Sequence, residues 1–261
     1  MGSPYNLKRG NATIAYVATP GRSPGVLFLG GFKSDMTGAK ATALEAFCRR
    51  TGRAFVRFDY QGHGASGGRF EDGTLSVWRD DALAVLDEVA AGPQVLVGSS
   101  MGGWIAVLAA LARPGRVAGL VGVAAAPDFT EDLLWARLDA DARARMLRDG
   151  FWRTPSAYSA APYVYTHALV EDGRRNLVLR GPVPFRGPVR LLHGTADPDV
   201  PWQQSLRLLE RLEGADARLT LVKDGDHRLS RPQDLDLLCR TVAEVAGLAE
   251  GAPPAGVSGG P

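Results

Sequence analysis

Long apolar runs are missing from this chain of 261 residues, and so is any imbalance of charge. No run approaches the roughly 20 residues that a bilayer span requires, so stable membrane insertion is not expected. The 30 Lys and Arg are scattered among 28 Asp and Glu for a net charge of +2, which leaves no basic stripe for nucleic acid and favours a small or neutral partner. Cysteine is scarce: Cys48 and Cys239 fall in segments of helical period without metal-ligand spacing, and they read as buried free thiols rather than as a disulfide framework. The opening MGSPYNLKRG has neither the apolar core of a secretory signal nor an Arg-rich amphipathic pattern, and Asn6 stands where myristoylation needs Ser or Thr. A cytoplasmic location is therefore the expectation. The closing EGAPPAGVSGGP, residues 250–261, reads as a disordered tail.

What is present is a hydrophobic content of 45%, enough for one large domain over 1–249. Six short runs rich in β-branched residues read as buried strands: VLFLG from Val26, AFVRFDY from Ala54, QVLVGS from Gln94, VAGLVGVAA from Val117, VRLLHG from Val189 and ARLTLVK from Ala217. Most are separated by stretches of helical period that close on glycine. Such alternation predicts an α/β fold with a mostly parallel sheet covered by helices on both faces. It breaks between about 128 and 187, where a helical cap is expected as an insertion between two late strands, because sixty structureless residues do not fit a compact domain.

The pattern Gly-x-Ser-x-Gly recurs along the chain, and Ser100 in GSSMG and Ser66 in GASGG both sit in it. In a glycine-rich chain the pattern alone says little, so context has to decide. Ser100 directly follows QVLV and directly precedes MGGWIAVLAALA, the strand, sharp turn and helix that expose a nucleophile. Ser66 lies several residues past its strand, with no helix before Leu75, and reads as a turn residue.

A serine hydroxyl needs a base, and the base needs an orienting group. Of the four histidines, His63 lies in a glycine-rich turn and reads as structural, His167 falls in the cap, and His193, within RLLHGTADPDVPW, ends a strand just before the acid loop. His227 follows the last strand and is the expected base. The acid is expected at Asp197, ahead of Pro198, with Asp199 as the alternative in the same loop. The backbone N–H groups of Met101, after the serine, and Phe32, in LGGFKSDM after the first buried strand, are the expected oxyanion donors. The aromatic residues Trp104, Trp135, Tyr163, Tyr165 and Trp202 are candidates for an apolar acyl pocket, with packing as the competing fate.

The stretches FLGGFKSDMTGAKA, RFDYQGHGASGG, TLSVWRDD, LVGSSMGGW, RLLHGTADPDVPW and DHRLS together resemble the α/β-hydrolase family, and within it the branch of mitochondrial palmitoyl-protein thioesterases and acyl-glucuronide esterases with their bacterial relatives. That resemblance implies Ser100 as nucleophile, Asp197 as acid, His227 as base, and Phe32 and Met101 as oxyanion donors. It also implies ester or acyl-thioester hydrolysis on a small-molecule or acyl-protein substrate, with no cofactor and no metal. Carbon–carbon bond hydrolases and small peptidases share the same residues, because the leaving group is read by the cap. A non-catalytic binding protein on this fold is the rival of another class, although it would be expected to have lost one of the three side chains.

Overall fold

The computed structural model describes residues 4–155 and 162–251. The segment SAYSAA of the cap and the tail from 252 onward lie outside the described residues. Among the described residues ten strands follow one another: β1 (Tyr5–Arg9), β2 (Ala12–Thr19), β3 (Arg22–Leu29), β4 (Arg53–Phe58), β5 (Gln94–Ser99), β6 (Val117–Val123), β7 (Phe151–Thr154), β8 (Tyr163–Thr166), β9 (Val189–Gly194) and β10 (Ala217–Val222). Eight of them form the main sheet in the order β1-β2-β4-β3-β5-β6-β9-β10, while β7 and β8 pair separately. From β4 to β10 every neighbour is parallel; β1 and β2 add an antiparallel edge.

The parallel strands are the six apolar runs expected from the sequence. The antiparallel edge was not among them, because β1 is mostly exposed and polar and β2 dilutes its buried Ile14 with alanine and threonine. Alternation along the strands sorts side chains to the two faces. In β5, Val95 and Val97 face α1 (Ala39–Thr51) and α7 (Pro232–Gly251), while Leu96 faces α2 (Leu75–Glu88) and α3 (Met101–Ala112).

The insertion between β6 and β9 is less helical than expected. It holds short helical turns at Thr130–Leu134 and Trp135–Arg137, then α4 (Ala140–Asp149) and α5 (His167–Arg174), but between these helices lies the antiparallel pair of β7 and β8. Its segments FWRT and YVYT are aromatic and β-branched, which suits a half-buried strand pair better than a helix. The remaining helix, α6 (Gln203–Arg211), lies between β9 and β10.

The glycines around Ser100 set how closely β5, α3 and β3 meet. A Cβ on Gly98 would lie 2.3 Å from the Gly102 carbonyl oxygen, and one on Gly102 would lie 2.1 Å from that of Leu29. Both neighbours are backbone and cannot swing aside. Gly102→Ala is expected to destabilise the fold by about 3 kcal/mol or more. Gly115→Ala, whose added methyl would meet nothing within 4 Å, should stay within about 1 kcal/mol of the parent in the same thermal or urea unfolding series.

Candidate active site

Ser100 stands at the junction of β5 and α3 with φ 55° and ψ −120°, a left-handed conformation that non-glycine residues rarely adopt. Its N–H donates to the carbonyl of Val123 at 2.9 Å, and its own carbonyl accepts from Gly103 at 2.9 Å and Ala126 at 3.1 Å. These bonds tie the turn to β6 and to the first turn of α3. Ser66, which sits in the same pattern, is built into the scaffold: its Oγ donates to the Asp59 carbonyl at 2.5 Å and accepts the Ala15 N–H at 2.8 Å.

Two loops at the C-terminal ends of β9 and β10 bring the expected partners to Ser100. The Oγ lies 3.1 Å from His227 Nε2, and His227 Nδ1 lies 2.7 Å from Asp197 Oδ2. Asp197, rather than Asp199, is the carboxylate bonded to the imidazole. Its Oδ1 accepts the N–H groups of Asp199 and Val200, each at 2.9 Å, which makes the turn after β9 fold around its side chain.

His193 completes the setting of Asp197. Its Nε2 faces Asp197 Oδ2 at 3.1 Å and the Val200 carbonyl at 3.0 Å, both acceptors, so that nitrogen carries the proton; Nδ1 meets Ser205 Oγ at 2.7 Å. The Asp197 side chain is 1% exposed, and burial opposes its charge. Hydrogen bonds from His193 and His227, the charge of His227 and the N–H of Val200 outweigh that penalty and hold its carboxyl well below the usual carboxylate range.

Phe32 lies in a turn after β3 that passes against Ser100: a Cβ on Gly31 would lie 3.4 Å from Ser100 Cβ. The turn is closed by the N–H and hydroxyl of Ser34, which donate to the Gly31 carbonyl at 3.1 and 2.7 Å. Asp59, buried at the end of β4, joins this loop to the next by accepting the N–H of Met36 at 2.6 Å and of Ala65 at 2.8 Å. Met101 is the first residue of α3, so its N–H has no acceptor inside the helix.

A cleft of about 700 Å³ opens over Ser100 and His227; its lining includes the aromatic Phe32, Phe70 and Tyr163 and the basic Lys33, Lys40 and Arg228. Of the five aromatic residues considered for an acyl pocket, Tyr163 alone lines this cleft. Trp104 is corrected to a core residue: it is fully buried and its Nε1 donates to the Asn176 carbonyl at 3.0 Å. Tyr165 stacks on Phe32, Trp135 packs under Arg143 and Arg174 in the cap, and Trp202 stands just before α6. Among the described residues, Asp197, Asp199 and His227 could converge on a cation, but an ion there would displace the Asp197 to His227 hydrogen bond.

Comparison with known proteins matches the model of the Alpha/beta hydrolase family over residues 26–236. The chain belongs to this family. It is 41% identical over 233 residues to mitochondrial palmitoyl-protein thioesterase ABHD10 of Mus musculus, a match that covers 89% of this chain and 78% of that protein. Among solved structures, a protein from Agrobacterium vitis S4 superposes with a TM-score of 0.89 at 44% identity, covering 93% of this chain and 97% of the other. The alpha/beta hydrolase domain-containing protein 10 from mouse gives 0.87 at 38%, covering 94% and 98%. The cytoplasmic location expected from the first residues is corrected by this comparison: the mammalian palmitoyl-protein thioesterase relatives are named mitochondrial, and location is set by sorting signals rather than by the composition of the fold. No helix of the described residues is long and apolar enough to cross a membrane.

Asp197 also makes acid sensitivity predictable. A carboxyl whose folded pKa lies below its unfolded value stabilises the fold above the unfolded range near roughly 3.9 and loses that contribution as pH falls through the folded value. Asp197→Asn should therefore cost about 2 kcal/mol at pH 7. In urea titrations at a series of pH values, the gap between variant and parent should narrow steadily below about pH 4; a gap independent of pH would contradict this account.

Proposed function

We propose that the chain is a serine hydrolase that cleaves carboxylic esters or acyl thioesters through an acyl-enzyme. The observation that carries this reading is the continuous hydrogen-bonded path from Ser100 Oγ through His227 to Asp197, at 3.1 and 2.7 Å, with a cleft open above it. His227 Nε2 takes the Ser100 proton as Oγ attacks the acyl carbon, and the charge that develops on the carbonyl oxygen is met by the N–H groups of Phe32 and Met101. The protonated His227 then gives that proton to the leaving alcohol or thiol. Water, deprotonated in turn by His227, attacks the acyl carbon; the bond to Oγ breaks, His227 returns the proton to Oγ, and the acid is released. Asp197 remains ionised throughout and holds Nδ1–H, which keeps Nε2 aimed at the serine.

The name of the mouse relative, a palmitoyl-protein thioesterase, supports acyl thioesters within this substrate class. No step calls on a metal or cofactor. Reaction with a fluorophosphonate probe should label the wild-type chain, Ser100→Ala should abolish labelling, and Ser66→Ala should retain it. With p-nitrophenyl esters and a palmitoyl thioester as substrates, His227→Ala should lower kcat by about 10⁴-fold or more. Wild-type protein that neither labels nor turns over any of these substrates would leave a binding protein on the hydrolase fold as the surviving reading.

A further inference from the structure

The loop after β4 carries a histidine that the mechanism above does not use. His63 is 4% exposed, and its ring is packed edge-on against Tyr60, Phe70 and Trp78 with centroids 5.6, 5.1 and 5.2 Å away. Its Nδ1 lies 3.2 Å from the Gln61 carbonyl and its Nε2 accepts the backbone N–H of Lys33 at 3.2 Å. One neutral tautomer satisfies both contacts, with the proton on Nδ1 and the lone pair on Nε2. Burial favours the neutral ring and draws its pKa down to about 4 against the Gln61 carbonyl, which favours protonation.

The histidine is itself fixed from behind. The N–H and side-chain amide of Gln61 donate to the buried carboxylate of Asp81 at 2.9 and 2.7 Å, and Trp78 Nε1 donates to the Gln61 carbonyl at 3.1 Å. In front of it, residues 31–34 form a turn closed from Ser34 N–H to the Gly31 carbonyl, with Lys33 at φ 60° in the third position. That is the type II pattern, which glycine favours at this position. For lysine the central peptide, between Phe32 and Lys33, is more stable turned the other way. The N–H held by His63 belongs to that peptide.

We propose that His63 is a positioning residue for the oxyanion loop: by accepting the Lys33 N–H it holds the central peptide of the turn against its own preference, and so keeps Phe32 N–H where the oxyanion forms. The inference rests on the reading of Phe32 as an oxyanion donor. Ser34, bonded twice to the Gly31 carbonyl, secures the preceding peptide, the one that carries the Phe32 N–H.

Long-range ¹H–¹⁵N correlation on the wild-type protein should find His63 neutral, with the proton on Nδ1, from pH 6 to 8; a proton on Nε2 would overturn the proposal without any variant. His63→Leu keeps apolar volume but removes the acceptor, whereas His63→Gln places an amide oxygen near the position of Nε2. With melting temperatures recorded for both, His63→Leu should lower kcat on p-nitrophenyl esters by about 10- to 100-fold with KM within about threefold. It should also weaken a trifluoromethyl ketone, which forms a tetrahedral adduct on the serine, by a similar factor, and His63→Gln should recover most of both losses. Equal losses in the two variants, or a rise in KM at constant kcat, would show that His63 only packs. Failure of the wild type to label at Ser100 removes the parent reading and this one together; labelling with an unchanged kcat in His63→Leu removes this one alone.

Discussion

The left-handed backbone at Ser100 is the constraint on which the rest of the site depends. A non-glycine residue held at φ 55° and ψ −120° costs on the order of 1–3 kcal/mol, and that strain persists only where the surroundings over-determine the turn. Three backbone hydrogen bonds, from Ser100 N–H to β6 and from Gly103 and Ala126 to the Ser100 carbonyl, each contribute about 1 kcal/mol. They form only if α3 packs almost in contact with β5 and with the end of β3, which is why Gly98 and Gly102 have no space for a side chain. The central place of β5 in the sheet follows from the same need, since both flanking strands help to hold the turn.

Around that turn, the loops at the C-terminal edge of the sheet are fastened to one another by buried carboxylates. Asp59 joins the loop after β3 to the loop after β4, and Asp197 gathers its own turn and two histidines. Asp128, at the start of the cap, accepts the N–H groups of Val178 and Leu179 at 2.8 and 3.0 Å, where the cap returns to the sheet. Loops carry backbone polar groups that an apolar core cannot satisfy, and a carboxylate takes two or more of them at once. The three differ in electrostatics for an identifiable reason. Asp59 and Asp128 are pushed upward, chiefly by burial, whereas Asp197 faces two imidazoles that more than offset the same penalty.

Sequence reasoning reached the parallel strands and Ser100 because each leaves a local signature: a short β-branched run, or a serine wedged between strand and helix. Asp197 and His227 followed from chain order and from where their strands end. Other features are written in no single stretch. The grip of His63 on Lys33 joins residues thirty positions apart through a backbone N–H, which every residue type but proline supplies, so the letters carry no mark of it. The strand pair β7–β8 was hidden for the opposite reason. FWRT and YVYT do carry strand-like residues, but each is only four residues long and lies beside helical pattern. Trp104 misled because large aromatic side chains look alike in sequence whether they line a cleft or fill a core.

The aromatic side chain of Phe32 links two parts of the molecule that sequence treats as separate. Its backbone lies in the turn against Ser100, while its ring stacks on Tyr165 of the cap at 4.9 Å and meets the edges of Phe70, Trp78 and Phe129. Such ring pairs contribute about 0.5–1.5 kcal/mol each beyond the area they bury, comparable with the strain of the turn at Lys33. The cap therefore bears directly on the peptide that presents the Phe32 N–H. A shift of β8 would move Tyr165 and be felt through Phe32 at the turn beside Ser100 without touching Ser100, His227 or Asp197. The turn is thus held from two sides, by a hydrogen bond from the sheet's own loop and by ring packing from the cap, whose Tyr163 also lines the cleft over Ser100.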